Sequence, residues 1–248
     1  MRKDEIVFSI SLSAIIFLGS LNSLFSQAYF QQEVNYKINV KLNDAKNTLK
    51  AFEEIEYINN SPDVLNEIWF HLWPNAYKDN SSSLVKQQVE NGNLKLFFAE
   101  PAERGFIDSL DFKVNGIAVD FEFKEIDYGK IKLPQPLLPN QKIFITTPFF
   151  VKIPNARFSR MGHDKQAYYI SQWYPKPAVY DRQGWHPLPY LEKGEFFSEF
   201  GSFTVAIELP QNYMVAATGE LVNDSTEQIW LTKKAEDRKS TRLNSSHG

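Results

Sequence analysis

The chain has 248 residues, with 27 lysines and arginines against 30 aspartates and glutamates, a net charge of −3, and no cysteine. The small acidic excess, with no basic stripe, gives no reason to expect binding to nucleic acid. Without cysteine the chain forms neither disulfides nor thiolate metal sites, and it has no N-terminal cysteine to carry a lipid.

Residues 1–26 have the pattern of a secretory signal peptide. Basic residues at positions 2 and 3 precede an apolar run from Ile6 to Leu18, and small and polar residues follow. Acidic residues at positions 4 and 5 weaken this pattern, so a membrane helix that starts the chain is the alternative. Serines interrupt the run and make a stable span less favourable. We expect cleavage before Gln27, with the Ser26/Ala28 pair as second option, then export to the periplasm or beyond, with no stable membrane anchor.

The rest of the chain reads as β-strands. Apolar residues at 36, 38, 40 and 42 alternate with polar ones, and a short turn separates them from the segment 49–59, which predicts a hairpin. Further strands are predicted over residues 67–72, 94–98, 109–114, 119–123, 142–147, 167–170, 203–209, 214–220 and 228–232. Residues 78–93 are polar and predicted as a loop or a short helix. No window keeps a 3.6-residue apolar period, so residues 27–236 are predicted to form an all-β domain, a large antiparallel β-sandwich or curved sheet.

The segment from Ser171 to Phe203 contains nine aromatic residues and four prolines. Prolines fix φ and remove backbone donors, so most of this segment cannot be a helix or a central strand. Its many rings argue against disorder. We expect an ordered loop that carries function.

Few residues in the chain suggest catalysis. His71, His163 and His186 do not occur in an H-E-x-x-H pattern, which would place two imidazoles on one helical face around zinc. A satisfied structural role is the expectation for His71 and His186, and a place in a polar turn for His163. No nucleophile elbow or phosphate-binding glycine loop is present.

Acidic side chains of the aromatic segment have two possible roles. They either solvate the loop, or one or two of them face a cleft and bind a cationic group such as a peptide α-amine. The residues are Asp181, Glu192, Glu195 and Glu199.

The end of the chain has a different character. Residues 237–247 read DRKSTRLNSSH, which resembles the translation of a common sequencing-library adapter. We therefore expect residues 237–248 to be a non-native tail and the natural sequence to stop near Glu236. A natural basic tail is the alternative.

Several blocks occur in an order that resembles exported bacterial zinc metallopeptidases of the aminopeptidase N type, family M1. They are Phe70-His71-Leu72-Trp73-Pro74-Asn75-Ala76, Ser171-Gln172-Trp173-Tyr174-Pro175-Lys176, Ala178-Val179-Tyr180-Asp181, Gly184-Trp185-His186, Glu199-Phe200-Gly201 and Ala216-Ala217-Thr218-Gly219-Glu220. The resemblance runs from about Tyr36 to Thr232. It implies a saddle-like N-terminal β domain, followed in the full-length parent by a helical catalytic domain that binds Zn²⁺ and peptide substrates. The zinc-binding and G-x-M-E-N motifs of that domain are not in this chain, so the fragment is expected to bind no metal and to be inactive.

The resemblance also implies a substrate-binding role for the aromatic segment. Family members place a Glu or Gln there that binds the substrate's free α-amine. Alignment on Ser171-Gln172 puts Tyr174 at that position, so Gln172 and Tyr174 are the candidate residues. A purely structural role for Gln172 stays open. A different class of function also stays open, a secreted carbohydrate- or peptide-binding β-sandwich, which exposed coplanar tryptophans at 73, 173 and 185 would favour.

Overall fold

The computed structural model describes residues 29–194, 196–222 and 225–245, so the predicted signal peptide lies outside the described residues. The strands are β1 Glu33–Asn43, β2 Thr48–Ile58, β3 Leu65–His71, β4 Phe106–Asp108, β5 Lys113–Val114, β6 Ile117–Ala118, β7 Phe121–Glu125, β8 Tyr128–Leu137, β9 Lys142–Lys152, β10 Gly162–Asp164, β11 Ala167–Tyr169, β12 Lys176–Pro177, β13 Val179–Asp181, β14 Gly184–His186 and β15 Phe203–Glu208. The helices are α1 Ser83–Glu90 and α2 Ser225–Ser245, with 3-10 turns at Trp73–Tyr77 and Pro101–Glu103.

Two main sheets build the domain. The larger has the order β15-β1-β2-β9-β5-β6, with β4 also on β9, and the smaller has the order β12-β3-β8-β7. All pairs in these sheets are antiparallel except β1 with β15, which is parallel. The predicted β-sandwich is confirmed, and the parallel pair makes its larger sheet mixed.

The predicted hairpin of residues 36–59 is confirmed by β1 and β2, which pair along their whole length. Its alternating residues point to opposite faces of the sheet, so every second side chain is buried. Ile38 and Ile55 of this sheet, and Ile68 and Ile131 of the smaller one, are almost completely buried in one core cluster. Burial of these apolar faces is the main stabilising contribution to the sandwich.

Residues 94–98 are not the strand that the sequence predicted. They form turns, and the Arg104 guanidinium donates hydrogen bonds to carbonyl oxygens there, at 2.9 Å for Leu96 and 3.3 Å for Phe97. Carbonyls that converge on one side chain cannot also point alternately to two neighbouring strands. The preceding segment does contain a short helix, α1, whose N-cap Ser82 accepts a hydrogen bond from the Val85 N–H.

Two strands that the sequence did not predict, in whole or in part, contain prolines. β8 contains Pro134 and Pro136, which lie beyond Ile131, the last of its residues to pair with β7. Pro148 of β9 lies between the residues that pair with β5 and those that pair with β4. In each case the missing N–H falls where one neighbouring strand is absent, so the ladder tolerates the proline.

Two predictions near the end of the chain are wrong. Residues 214–220 have no partner strand among the described residues, and 228–232 belong to α2. Helix-forming residues follow directly in the sequence, from Lys233 to Arg238, and favour the helix over a strand that has no sheet to join. No helix within the described ranges has the length and apolar content to cross a membrane.

Glu53 is a carboxyl group inside the sandwich. It lies in β2 on the buried face, with no exposed surface, and neither of its oxygens has a hydrogen-bond partner among the described residues. Burial raises its pKa well above 4.5, so the neutral acid is the favoured form. Since folding holds a proton that the unfolded chain releases, this residue lowers stability as pH rises above 4.5.

We expect Glu53→Met to raise the free energy of unfolding at pH 8 by about 1–3 kcal/mol, because it replaces an unpartnered buried acid by an apolar side chain of similar size. Urea unfolding at pH 5 and pH 8 measures the change. The matched control is Glu54→Met, on the exposed face of the same strand, which should leave stability within about 0.5 kcal/mol. A destabilised Glu53→Met variant at pH 8 would show that the carboxylate has an essential partner.

Candidate functional site

The segment 171–203 is called here the aromatic loop. It contains three very short strands, and Glu195 is its one residue outside the described ranges. Lys176–Pro177 (β12) pairs with His71 and Phe70 at the edge of the smaller sheet, where a proline is tolerated. Residues 179–186 form the hairpin β13–β14. The prediction of an ordered loop without a helix is confirmed.

The two ends of the loop are fastened to the sandwich. At its start, β12 joins β3. At its end, the carbonyl of Phe200 accepts from the Val34 N–H at 2.9 Å, and the carbonyl of Ser202 accepts from the Tyr36 N–H at 2.8 Å. Gly201 lies between them, and a Cβ there would come within 1.7 Å of the Val34 oxygen. Only glycine allows this close approach of the loop to β1.

Packed rings fill the base of the loop. Trp73 is buried, donates from Nε1 to the Leu188 carbonyl at 2.9 Å, and has the Phe196 ring at 4.8 Å. Tyr77 donates its hydroxyl hydrogen to the Tyr190 hydroxyl at 3.0 Å. Each buried polar atom of this ring cluster that is named here therefore has a partner, as a rigid aromatic core requires.

Lys176 is the unexpected residue of the site. Its side chain is only 4% exposed, and its Nζ donates to Gln172 Oε1 at 2.8 Å and to Ser198 Oγ at 2.7 Å. The same Nζ lies 4.0 Å from the centre of the Trp73 ring. No carboxylate of the described residues forms an ion pair with it. Because burial disfavours the charged form, the pKa of Lys176 falls to about 7.

Gln172 lies next to this lysine but in an unusual backbone conformation. Its φ is +53°, in the left-handed region that non-glycine residues seldom adopt. A lysine ammonium can only donate, so the contact with Lys176 fixes the amide with its oxygen inward. Gln172 thus points its Nε2 away from Lys176, and Nε2 makes no hydrogen bond within the described residues.

Tyr174, the second candidate, packs inward. Its ring meets Tyr36 edge-on at 5.3 Å and lies 6.0 Å from Phe203. Burial, and then the nearby Glu53, raise its pKa well above the ordinary value. Tyr174 joins the loop to β1 and β15, whereas Gln172 and Lys176 form a separate polar contact beside it.

The histidines have structural contacts. His71 Nε2 accepts from the Leu188 N–H at 3.0 Å, and burial, then Lys176, lower its pKa to about 3, so it is neutral. His186 Nε2 lies 2.8 Å from Asp181 Oδ1 within the β13–β14 hairpin. His163 lies in β10 opposite Tyr168, not in a turn as predicted. Within the described residues no group of three or more histidines, cysteines or carboxylates could hold a metal.

The loop carboxylates differ in their availability. Glu199 accepts from the Tyr180 N–H at 3.0 Å, its second oxygen is buried, and burial raises its pKa to about 7. Asp181 accepts from the Gln183 N–H at 2.7 Å and faces His186. The backbone N–H of Glu192 binds Gln87 of α1, and Glu195 lies outside the described residues. Asp181 Oδ1 and Glu199 Oε1 thus accept hydrogen bonds from backbone N–H groups of the loop.

Sequence reasoning singled out Gln172 but missed its partner. Lys176 and Gln172 are four residues apart, a spacing that brings side chains together in a helix, and the prolines exclude a helix here. The available signal was a lysine between Pro175 and Pro177 inside a run of rings, where a long cation has no obvious path to solvent.

Comparisons with known proteins give only distant matches. The chain matches no protein-family model and no curated protein. Among solved structures it is similar to an M1 zinc metallopeptidase from Deinococcus radiodurans, with 13% identity, a TM-score of 0.46, and coverage of 79% of this chain and 37% of that one. A mutant of that enzyme bound to a Tyr-Ser-Ala substrate gives 13% identity, a TM-score of 0.42 and the same coverage.

A native leukotriene A4 hydrolase from Saccharomyces cerevisiae is similar over 48% of this chain and 15% of that one, with 7% identity and a TM-score of 0.29. The chain spans little more than a third of the length of the metallopeptidase structures. Similarities at this level do not assign the chain to a family.

Lys176 and Glu199 should give opposite pH dependences of stability. Between pH 7 and 10.5 the unfolded chain binds a proton that folded Lys176 has released, so stability rises with pH. Between pH 4.5 and 7 folded Glu199 binds a proton that the unfolded chain has released, so stability falls. We expect Lys176→Met to remove the rise and Glu199→Gln to remove the fall.

Urea unfolding midpoints from pH 4 to 10 measure both slopes. Lys193→Met, which removes an exposed lysine of the same loop, is the control and should leave both slopes unchanged. A wild-type profile in Lys176→Met would mean that the buried amine titrates as it does in the unfolded chain.

Proposed function

We propose that the chain is the N-terminal, non-catalytic β domain of an exported, periplasmic or extracellular zinc metallopeptidase of the M1 type, which hydrolyses peptide bonds at peptide N-termini. In this proposal the aromatic loop forms one wall of the peptide-binding cleft. The remaining walls and the zinc site belong to a catalytic domain of the longer protein. The ordered sequence blocks between Tyr36 and Thr232 support the family assignment.

The construction of the aromatic loop is the observation that carries the proposal. Its prolines and buried rings make it rigid, and both ends are fastened to the sandwich. Its outer surface nevertheless exposes Leu188, Phe197 and Phe200, of which Phe200 is 75% exposed. An exposed apolar surface on a rigid support, with one polar group beside it, is suited to a ligand-binding wall that another domain completes.

The described residues do not fit a zinc site, because they contain no group of three or more histidines, cysteines or carboxylates that could hold the ion. We therefore assign no catalytic step to this domain. Its role in the proposal is to bind and orient the peptide, which lowers the entropic cost of reaching the transition state. Gln172 Oε1 already accepts from Lys176, and a second cation at that oxygen would meet a like charge, so the proposal assigns recognition of the α-amine to other residues.

The tryptophans do not favour a carbohydrate-binding function. Trp73 is buried, while Trp173 and Trp185 are half-buried and pack near Phe149 and Tyr180. None of these three side chains offers the exposed flat face on which a sugar ring would stack.

Recovery and expression of the longer reading frame test the proposal. We expect it to encode H-E-x-x-H followed by a more distant glutamate, to bind one zinc per chain, and to hydrolyse aminoacyl reporters until a chelator removes the metal. Residues 29–222 alone serve as the control and should neither hydrolyse the reporters nor bind zinc stoichiometrically. Zinc-dependent turnover by residues 29–222, or a longer frame without the motif, would contradict it.

We expect Gln172→Ala in the longer enzyme to lower kcat/KM on peptides by about tenfold, the effect of losing one hydrogen bond to substrate. Gln183→Ala, at an exposed position of the same loop, is the matched control and should leave turnover unchanged. Equal kinetics for wild type and Gln172→Ala would limit the loop to a scaffold role.

A further inference from the structure

The polarity of the contact between Gln172 and Lys176 determines what kind of ligand atom this part of the loop can bind. Lys176 Nζ has only donor hydrogens, so Gln172 Oε1, at 2.8 Å, faces it as the acceptor. The opposite end of the amide is the NH₂ group. Gln172 is only half-buried, and its Nε2 is neither bonded within the described residues nor among the buried polar atoms that lack a partner. The loop therefore presents donors here.

The positive charge behind this amide strengthens the donor character. The partners of the Lys176 ammonium are the neutral oxygens of Gln172 and Ser198 and the face of Trp73. An ammonium that polarises the amide oxygen makes the amide N–H a stronger donor, because hydrogen bonds in a chain reinforce one another. An approaching substrate ammonium would instead meet a like charge, because the acceptor oxygen of Gln172 already binds Lys176.

The carboxylates that could offset this charge are engaged elsewhere. Glu199 follows Ser198 directly, but its Oε1 accepts from the Tyr180 N–H. Asp181 is held by the Gln183 N–H and lies beside His186. Glu53 is buried beneath Tyr174.

We propose that Gln172, backed by Lys176, forms a subsite for a peptide oxygen, either a backbone carbonyl or a carboxylate, and not for an α-ammonium. That the ligand is a peptide depends on the proposed function, whereas the donor polarity depends only on the contacts given above. Gln172 is then a binding residue and Lys176 a positioning residue, which orients the amide from behind and does not touch the ligand. The subsite binds an oxygen of the peptide, and a free N-terminus is recognised by other residues.

Titration of the ¹⁵N-labelled chain with three small probes tests the polarity. N-acetylglycine carries a carboxylate, N-acetylglycine N-methylamide carries carbonyl oxygens without a charge, and ethylammonium carries an ammonium without any oxygen. The signal is the side-chain NH₂ of Gln172, assigned by its loss in Gln172→Met. We expect saturable shifts with at least one acetylated probe and none with ethylammonium at equal ionic strength. The relative affinity of the two acetylated probes distinguishes a carboxylate from a carbonyl ligand.

Two variants test the roles of Lys176 and Gln172 separately. Lys176→Met should weaken the acetylated probes by about tenfold, since it removes a charge-assisted hydrogen bond, while Lys193→Met, an exposed lysine of the same loop, should not. Gln172→Glu keeps the size of the side chain and can pair one oxygen with Lys176. Its second oxygen then faces outward, so this variant should bind ethylammonium and lose the acetylated probes. This second test does not require Lys176→Met to fold.

Binding of ethylammonium by the wild-type chain, or of none of the three probes, would overturn the inference. These outcomes are independent of catalysis. A chain that binds the acetylated probes while the longer protein cleaves no peptide would refute the proposed function alone. A longer protein that cleaves peptides, with a wild-type chain that binds only ethylammonium, would refute this inference alone.

Discussion

A single buried ammonium organises the candidate site. Lys176 joins the start of the aromatic loop through Gln172, its end through Ser198, and the smaller sheet's neighbouring turn through Trp73. Removing a charge from water is costly, and neutral acceptors compensate for it less completely than a carboxylate does. The lysine favours one loop conformation more than it raises the free energy of unfolding, because its hydrogen-bond donors are satisfied only when these three partners meet. The amide orientation of Gln172 follows from that requirement.

The long strands were predictable, and the reasons are local. In β1 and β2 the alternation of apolar and polar residues matches a sheet with one buried face, so this two-residue period predicted both strands and the turn between them. Residues 94–98 are also rich in apolar side chains, but they form turns, and Arg104 donates hydrogen bonds to the carbonyls of Leu96 and Phe97. A hydrogen bond from a side chain to backbone oxygens does not change the apolar pattern of the segment that it binds, so that pattern does not reveal it.

The candidate site was predictable only in part for a related reason. Composition indicated a stiff, ring-filled loop, and the structure has one. Composition could not indicate which rings are buried: Trp73 has almost no exposed surface, while Phe200 is 75% exposed. Nor could it pair Lys176 with Ser198, 22 residues away, because that contact exists only after β12 and β1 have fixed both ends of the loop.

Adjacent residues at the end of the loop keep two titrating groups apart. Ser198 binds Lys176, and Glu199 binds the Tyr180 N–H, so each group has a neutral partner and the two do not form an ion pair. A direct pair would stabilise both charges and shift the lysine pKa up and the glutamate pKa down. Without it, burial lowers the pKa of Lys176 and raises the pKa of Glu199, each to about 7. The charge on Lys176, and with it the strength of the Gln172 donor, therefore depends on pH, although no ligand touches the lysine.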